Sequence, residues 1–337
     1  MSLIEIKESE LKSITLFLID KKIILHPKIS PDGIPDFSGY EGKKFIVILD
    51  RNILIRILRL VNNGELKDAH SLQIVSCLLA WSEFNNIALN SGLALTEYSY
   101  HHKGNIESSK ENNIFLQIYD QYSPRDWFDL AMGKTRTIQK IHLKEEKDYE
   151  FFVEDDHFKM HYLEMLKLSQ LYFSDDIEVE KKFELFHKWT FENILICKYT
   201  TYFAVMLFGG KSKTLRNKKL NFDSIKRICK NVAWDLTYLS FWSTQYYYEK
   251  DAKEIYLFAT MDKELRDLFF LTHKESLEIY REVFGEKKGN NIIDSVSEIY
   301  VRRDKPEINQ IVLDKLINQE QLYLTEILNR NTQSNTA

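Results

Sequence analysis

Apolar runs that end on acids, set between long stretches of helical periodicity, predict an α/β fold. The expected architecture is a parallel sheet flanked by helices, with a large helical insertion and helical extensions. Three observations carry this. Phe45-Ile-Val-Ile-Leu49 is five consecutive apolar residues, the pattern of a strand covered on both faces, and it ends on Asp50. A second apolar run, Ile255-Tyr-Leu-Phe-Ala259, is followed by Thr260-Met-Asp262. Only 11 Gly and 5 Pro stand against 21 Phe and 18 Tyr in 337 residues, a balance that favours long helices with few turns.

The elements follow in order. Residues 5–20 have the periodicity of an amphipathic helix, and a loop holding Pro27, Pro31, Gly33 and Pro35 leads into the first strand. Arg51–Asn62 and Leu66–Asn86 repeat at helical spacing and are joined at Asn63-Gly64. A short apolar segment from Ile87, a Gly and then Thr96-Glu97 reads as a chain entering a helix. The polar run Glu107–Asn113 suggests a boundary. From Ile114 to about Phe208 the pattern is helical, broken at Ser123-Pro124 and Gly133, and Gly209-Gly210 ends it. Asp223–Glu249 is a further long, aromatic helix, and the strand Ile255–Ala259 follows. From Lys263 the pattern is helical again, with interruptions near Gly285 and Pro306, and residues 331–337 read as disordered. No internal repeat is found. The division expected is a 1–43 extension, a core of 44–104 and 223–272, a helical insertion at 105–222 and a C-terminal helical extension at 273–330.

Charge and cysteines narrow the class. A net charge of −4 excludes a generically basic nucleic-acid binder, so any grip on phosphates must be a local patch. Cys77, Cys197 and Cys229 are odd in number, far apart and without metal-type spacing, which suits small buried hydrophobes in a reducing cytoplasm. Glu5, Glu8 and Glu10 are unlike a signal peptide. The most apolar segment, Ile194–Phe208, contains Lys198 and two threonines and falls short of a membrane span. A cytoplasmic protein without a membrane partner is expected.

The acids carry the chemistry. A carboxylate at the C-terminal lip of a buried strand lies where α/β sheets place ligands; an acidic helix cap explains Asp50 equally well. Glu97, Asp235 in Ala233-Trp-Asp235-Leu, and Asp262 recur in similar settings. Each alone reads as a cap or a solvated residue. Gathered at one sheet edge, four carboxylates would need cations, and all-oxygen ligation points to Mg²⁺ or Mn²⁺.

Ile-Leu-Asp50-Arg-Asn52, Thr96-Glu97, Ala233-Trp-Asp235-Leu and Ala259-Thr260-Met-Asp262 together resemble the ordered motifs of PIN-domain ribonucleases, which include bacterial toxin nucleases. The resemblance spans residues 44–104 and 223–272. It implies a PIN-like parallel sheet and a metal-dependent endoribonuclease that hydrolyses RNA phosphodiesters. It further implies that Asp50, Glu97, Asp235 and Asp262 hold the ions, with Asn52 and Thr260 orienting ligands or water. A toxin–antitoxin or antiviral-defence setting, with an inhibitor or partner subunit, goes with that family. Two departures stand out: Arg51 occupies a position usually small and hydroxylated, and the long gap between the second and third acids argues for an inserted subdomain.

Other patterns compete. Lys211, Lys213, Arg216, Lys218, Lys219, Lys226, Arg227 and Lys230 form the densest basic stretch, either a phosphate grip feeding RNA towards the metals or a solvated face. Gly209-Gly-Lys-Ser ends like a phosphate-binding loop, but it has Val205 where that motif needs Gly and lacks a preceding strand. His157 and His161, beside Asp155 and Asp156, are spaced to ligate zinc, although an exposed polar helix face is the commoner meaning. Arg266-Asp-Leu-Phe-Phe-Leu-Thr-His273 resembles the signature of HEPN ribonucleases, which cleave without metal; Arg136–His142 matches the same loose pattern. A HEPN-type nuclease and an inert PIN scaffold for protein assembly are therefore the alternatives. The aromatic helices would also suit a homodimer.

Overall fold

A computed structural model describes residues 6–28, 38–144, 146–152, 156–216, 221–273, 277–300, 306 and 308–334. Glu5, Pro31, Gly33, Pro35, Asp155, Lys218 and Lys219 lie outside the described residues. The chain is mixed α/β and mostly helical, and it divides into two compact units. The first comprises residues 1–154 and 241–266, the second 155–240 and 267–337. Residues 105–154, which the sequence groups with the insertion, thus cluster with the sheet.

The first unit opens with α1 (Glu8–Asp20), β1 (Ile24–Leu25) and β2 (Lys44–Leu49). It continues through α2 (Arg51–Asn63), α3 (Ala69–Phe84), β3 (Ala88–Asn90), α4 (Gly92–His102), α5 (Ile106–Gln121) and α6 (Pro124–Ala131). β4 (Glu254–Ala259) completes a four-stranded sheet of order β1-β4-β2-β3. β2 pairs in parallel with β4, Val47 opposite Leu257, and with β3, Val47 opposite Leu89. The sheet is mixed rather than purely parallel, because β1 pairs antiparallel with β4 at the edge. Two residues of strand are too few to show a period, so the sequence reading did not find β1.

The acidic ends of the strands follow from burial. Val47, Ile48 and Leu49 are buried, as are Leu257, Phe258 and Ala259. Each strand therefore delivers its next residues to the carboxyl edge of a desolvated sheet. α3 is apolar almost all round, with Leu72, Val75, Leu78, Leu79 and Trp81 buried, and it forms the centre of the helical layer. α2 ends at Gly64, in the left-handed region at φ 75. A Cβ there would stand 2.7 Å from the Ile138 carbonyl oxygen, so glycine is required twice over.

The structure departs from the helical pattern of the sequence in two places. The polar run Glu107–Asn113 is no boundary but the first half of α5, and residues 136–144 and 146–152 are non-helical. The two departures have one cause. Asn105, Ser109, Asn113, Gln117 and Gln121 recur every fourth residue, and their side chains satisfy the backbone of the strap. Gln121 accepts from His142 N–H (2.9 Å) and donates to its carbonyl (2.7 Å); Gln117 accepts from Lys144 N–H (2.9 Å). Asn113 makes a reciprocal pair with Lys147 at 2.8 and 3.1 Å. Ser109 accepts from Tyr149 N–H (2.9 Å) and Asn105 from Phe151 N–H (2.9 Å). From His142 onward this ladder takes the place of a sheet edge, whereas Ile138 and Ile141 before it donate to the Gly64 and Val61 carbonyls at 2.8 and 2.9 Å.

The second unit is helical among its described residues. It holds α7 (Asp156–Tyr172), α8 (Val179–Asn193), α9 (Lys198–Phe208) and most of α10 (Phe222–Tyr247), which runs on into the first unit. α11 (Lys263–His273) begins in the first unit, and α12 (Glu278–Phe284), α13 (Glu286–Tyr300) and α14 (Gln310–Ser334) follow. α14 packs along α7, and Leu163, Ile194 and Leu313 form a buried cluster. α9 is buried along almost its whole length, the alternative to a membrane segment for so apolar a helix. No described helix is long and apolar enough to cross a membrane. Asn331 to Ser334, expected to be disordered, continue α14, with Asn331 Nδ2 donating to Phe173 O at 2.8 Å.

Candidate active site

Asp50 is the N-cap of α2 and is buried, 4% exposed. Its side chain accepts from the Asn52 backbone N–H at 3.4 Å, from Asn52 Nδ2 and from the Thr260 hydroxyl. Thr260 is fully buried at the exit of β4. Its Oγ1 also accepts from Asn52 Nδ2 (3.2 Å) and from Asp262 N–H (3.0 Å). Asn52 Oδ1 accepts from Met261 N–H at 3.1 Å, so this one side chain ties the exits of β2 and β4 together. The Asp50 amide completes the join by donating to Ala259 O at 2.9 Å. Asn52 and Thr260 thus fix the orientation of the Asp50 carboxyl.

Two further acids share this edge. Asp262, exposed, accepts from Leu265 N–H at 3.0 Å and so caps α11. Glu97 lies one turn into α4, the helix that follows β3, with His101 Nε2 3.6 Å from its Oε1. Asp50, Glu97 and Asp262 therefore follow the carboxyl ends of the three mutually parallel strands, the place where open α/β sheets bind ligands. Burial pushes the Asp50 carboxyl from its ordinary value up to about 7; the Thr260 hydrogen bond opposes this, and the charges of Glu97 and Asp262 add to it.

Arg51, the departure noted in the sequence, is engaged beside this edge. Its Nη2 donates to Glu111 Oε1 at 2.9 Å, its Nη1 to Glu111 Oε2, and its guanidinium lies 3.9 Å from the Tyr98 ring centroid. The side chain braces α2 against α4 and α5.

The fourth acid, Asp235, is half-buried on α10 and belongs to the second unit. The carboxyl edge of the first unit thus carries three of the four acids, Asp50, Glu97 and Asp262. Lys211, Lys213 and Arg216 are exposed in the second unit. Gly209-Gly210 follows a helix, not a strand, which removes the phosphate-loop reading. Arg266 Nη1 donates to Lys21 O at 2.7 Å, and His273 Nε2 lies 3.0 Å from the Tyr199 hydroxyl. A cavity of about 630 Å³, lined by Lys44, Glu83, Asn86, Tyr119 and Glu254, opens at the opposite, amino ends of the strands, away from the acids.

The oxygens of Asp50, Glu97 and Asp262 do not all lie within 4.8 Å of one another. Among the described residues, the ligand atoms of His161, Glu164 and Cys197 in the second unit do. The sequence reading missed Glu164 and treated His161 as a neighbour of His157. His157 is exposed, whereas His161 and Glu164, three apart, share the buried face of α7. Comparison of the chain with protein-family models, curated proteins and solved structures gives no match.

Proposed function

We propose that the carboxyl edge of the sheet is a divalent-metal site for phosphodiester hydrolysis, with RNA as substrate, in the manner of PIN-domain endoribonucleases. The observation that carries this is the placement of Asp50, Glu97 and Asp262 after three parallel strands, with Asp50 buried and rigidly held. A buried acid facing two others is unfavourable unless a cation offsets the charge.

The donor set fits Mg²⁺ or Mn²⁺. It offers oxygen only, and these ions accept one or two carboxylates while keeping several waters, so spaced acids suffice. When bound, such an ion would acidify a water and offset the charge that develops on the phosphate. Asp50, pinned by Asn52 and Thr260, would supply the fixed oxygen, and Asp262 would supply Oδ2, since its Oδ1 is used by the Leu265 amide. Glu97 would approach from α4. Asp235 remains part of the proposal from its sequence context. The exposed Lys211, Lys213 and Arg216, with Lys218 and Lys219, would hold phosphates along the RNA. A toxin or defence role, with an inhibitor or partner subunit, goes with this reading.

The HEPN alternative is less well supported, because Arg266 and His273 are each tied into hydrogen bonds with the fold. The test is cleavage of a labelled RNA with Mn²⁺. Products with 5′-phosphate and 3′-hydroxyl ends, lost in Asp50→Asn, are expected. Cyclic phosphate ends formed in the presence of a chelator would select the HEPN reading. Calorimetry showing no Mn²⁺ binding would select the inert scaffold.

A further inference from the structure

We propose that His161, Glu164 and Cys197 form a second metal site, buried in the helical unit, that binds one Zn²⁺. His161 and Glu164 project from one face of α7, and Cys197 is the N-cap residue of α9. Their ligand atoms all lie within 4.8 Å of one another. Tetrahedral zinc holds such donors at about 2.0–2.3 Å, which sets them roughly 3.3–3.6 Å apart. A small rearrangement would complete the three-ligand set, with His161 Nδ1 and Glu164 Oε2, now 2.7 Å apart, parting to admit the ion.

The independent observation is at Glu164. The residue is 1% exposed, and its Oε2 accepts from the Thr200 hydroxyl at 2.5 Å and lies 2.7 Å from His161 Nδ1. Its Oε1 is buried and has no hydrogen-bond partner. A carboxylate oxygen desolvated without a partner is costly, and a cation is the partner that such an oxygen accepts most strongly.

The surroundings favour zinc over the hard cations proposed for the acidic edge. A thiolate, an imidazole and a carboxylate make a mixed sulfur, nitrogen and oxygen set, which magnesium does not take. His161 Nε2 lies 2.8 Å from Ser240 Oγ. Without metal, Nδ1–H donates to Glu164 Oε2 and Nε2 accepts from the Ser240 hydroxyl; with an ion on Nδ1 the ring would carry its proton on Nε2 and donate to Ser240, the usual arrangement behind a metal-bound histidine. Ser240 Oγ also lies 3.6 Å from Cys197 Sγ, so the serine supports two of the three ligands. Cys197 heads an 11-residue helix whose N-terminal dipole favours a thiolate. Without metal, burial and the adjacent Glu164 charge push the thiol up to about 11. Binding thus replaces the Sγ–H proton with the ion and releases that proton to solvent.

The full-length protein, stripped with a chelator, is titrated with Zn²⁺ and separately with Co²⁺ in a Cys77→Ala/Cys229→Ala background, where Cys197 is the remaining thiol. One equivalent of Zn²⁺ should bind, with a rise in the unfolding midpoint. Cobalt should show the visible bands of a tetrahedral site and a near-ultraviolet thiolate charge-transfer band. Cys197→Ser should abolish the charge-transfer band, and the isosteric Glu164→Gln should weaken zinc binding by more than about tenfold. If a variant misfolds, the cobalt spectrum of the parent decides alone. No uptake by the folded parent, or cobalt binding without thiolate charge transfer, overturns the proposal. Loss of Mn²⁺-dependent cleavage would leave it standing, because the two sites share no residue.

Discussion

Replacing Asp50 with Asn separates a structural acid from one kept at the expense of stability. The carboxyl is buried, and desolvation with the charges of Glu97 and Asp262 raises it from 3.8 to about 7. A pKa raised in the folded state means that full stability is present below the unfolded value, near 4, and is lost as pH rises through about 7. At about 1.4 kcal/mol per pH unit, the raised carboxyl costs the fold roughly 4 kcal/mol at pH 8, where it is ionised, and about 2 kcal/mol at pH 5, where the folded protein keeps the proton and the unfolded chain has released it. Asn caps a helix as well as Asp, and its carbonyl can accept from both Asn52 Nδ2 and Thr260. Its amide would then face the long contact from the Asn52 backbone N–H, at a loss of about 1 kcal/mol.

Asp50→Asn should therefore be more stable than the parent by about 3 kcal/mol at pH 8 in a chelator, by well under half of that at pH 5, and not at all at pH 4. Urea unfolding across that range measures it. Mn²⁺ should stabilise the parent at pH 8 through binding linkage and leave the variant unaffected. A variant no more stable than the parent at pH 8, or a difference independent of pH, would refute the reasoning. Equal stabilisation of both proteins by Mn²⁺ would place the ion elsewhere.

Arg51→Lys keeps the charge but loses the fork to Glu111 and the stacking on Tyr98, so a loss of about 1–2 kcal/mol in chemical unfolding is expected. Asn113→Ala removes both hydrogen bonds to the Lys147 backbone; stability should fall by about 1–3 kcal/mol and limited proteolysis of the 142–152 strap should quicken. Replacing Lys211, Lys213, Lys218 and Lys219 with Gln should weaken RNA binding across sequences and flatten its salt dependence, with turnover at saturating RNA little changed. An unchanged salt slope would retire the basic stretch as an RNA contact.

The strands at the heart of the first unit were legible because burial on both faces leaves a continuous apolar run. The joint at Asn63-Gly64 was legible because only glycine suits its positive φ and the close Ile138 carbonyl. The strap at 142–144 and 146–152 was not, because its backbone partners are side chains of α5 and of its cap Asn105. A polar residue at every fourth position looks the same whether it meets water or a peptide. The edge strand β1 was hidden by its length, and the end of α14 by a polar composition that Asn331 turns into a contact with Phe173.

Site residues obey a different logic, since one side chain can satisfy two demands. Asp50 and Asp262 are both helix caps, the bland reading of each, and both stand at the carboxyl edge of the sheet. Capping explains why an acid is tolerated there; it does not require that acid to be buried, since a cap works as well in water. Burial of Asp50 against other acids is the part that capping leaves unexplained, and no sequence pattern reports it. The same holds for Glu164. Three residues after His161, it reads as an ordinary helical acid, and only the approach of α9 with Cys197 and Thr200 makes it a desolvated carboxylate with an open oxygen. In both places the functional signal is an unfavourable electrostatic arrangement that the fold sustains. Such an arrangement is created by tertiary contacts, so it becomes visible only when the elements are assembled.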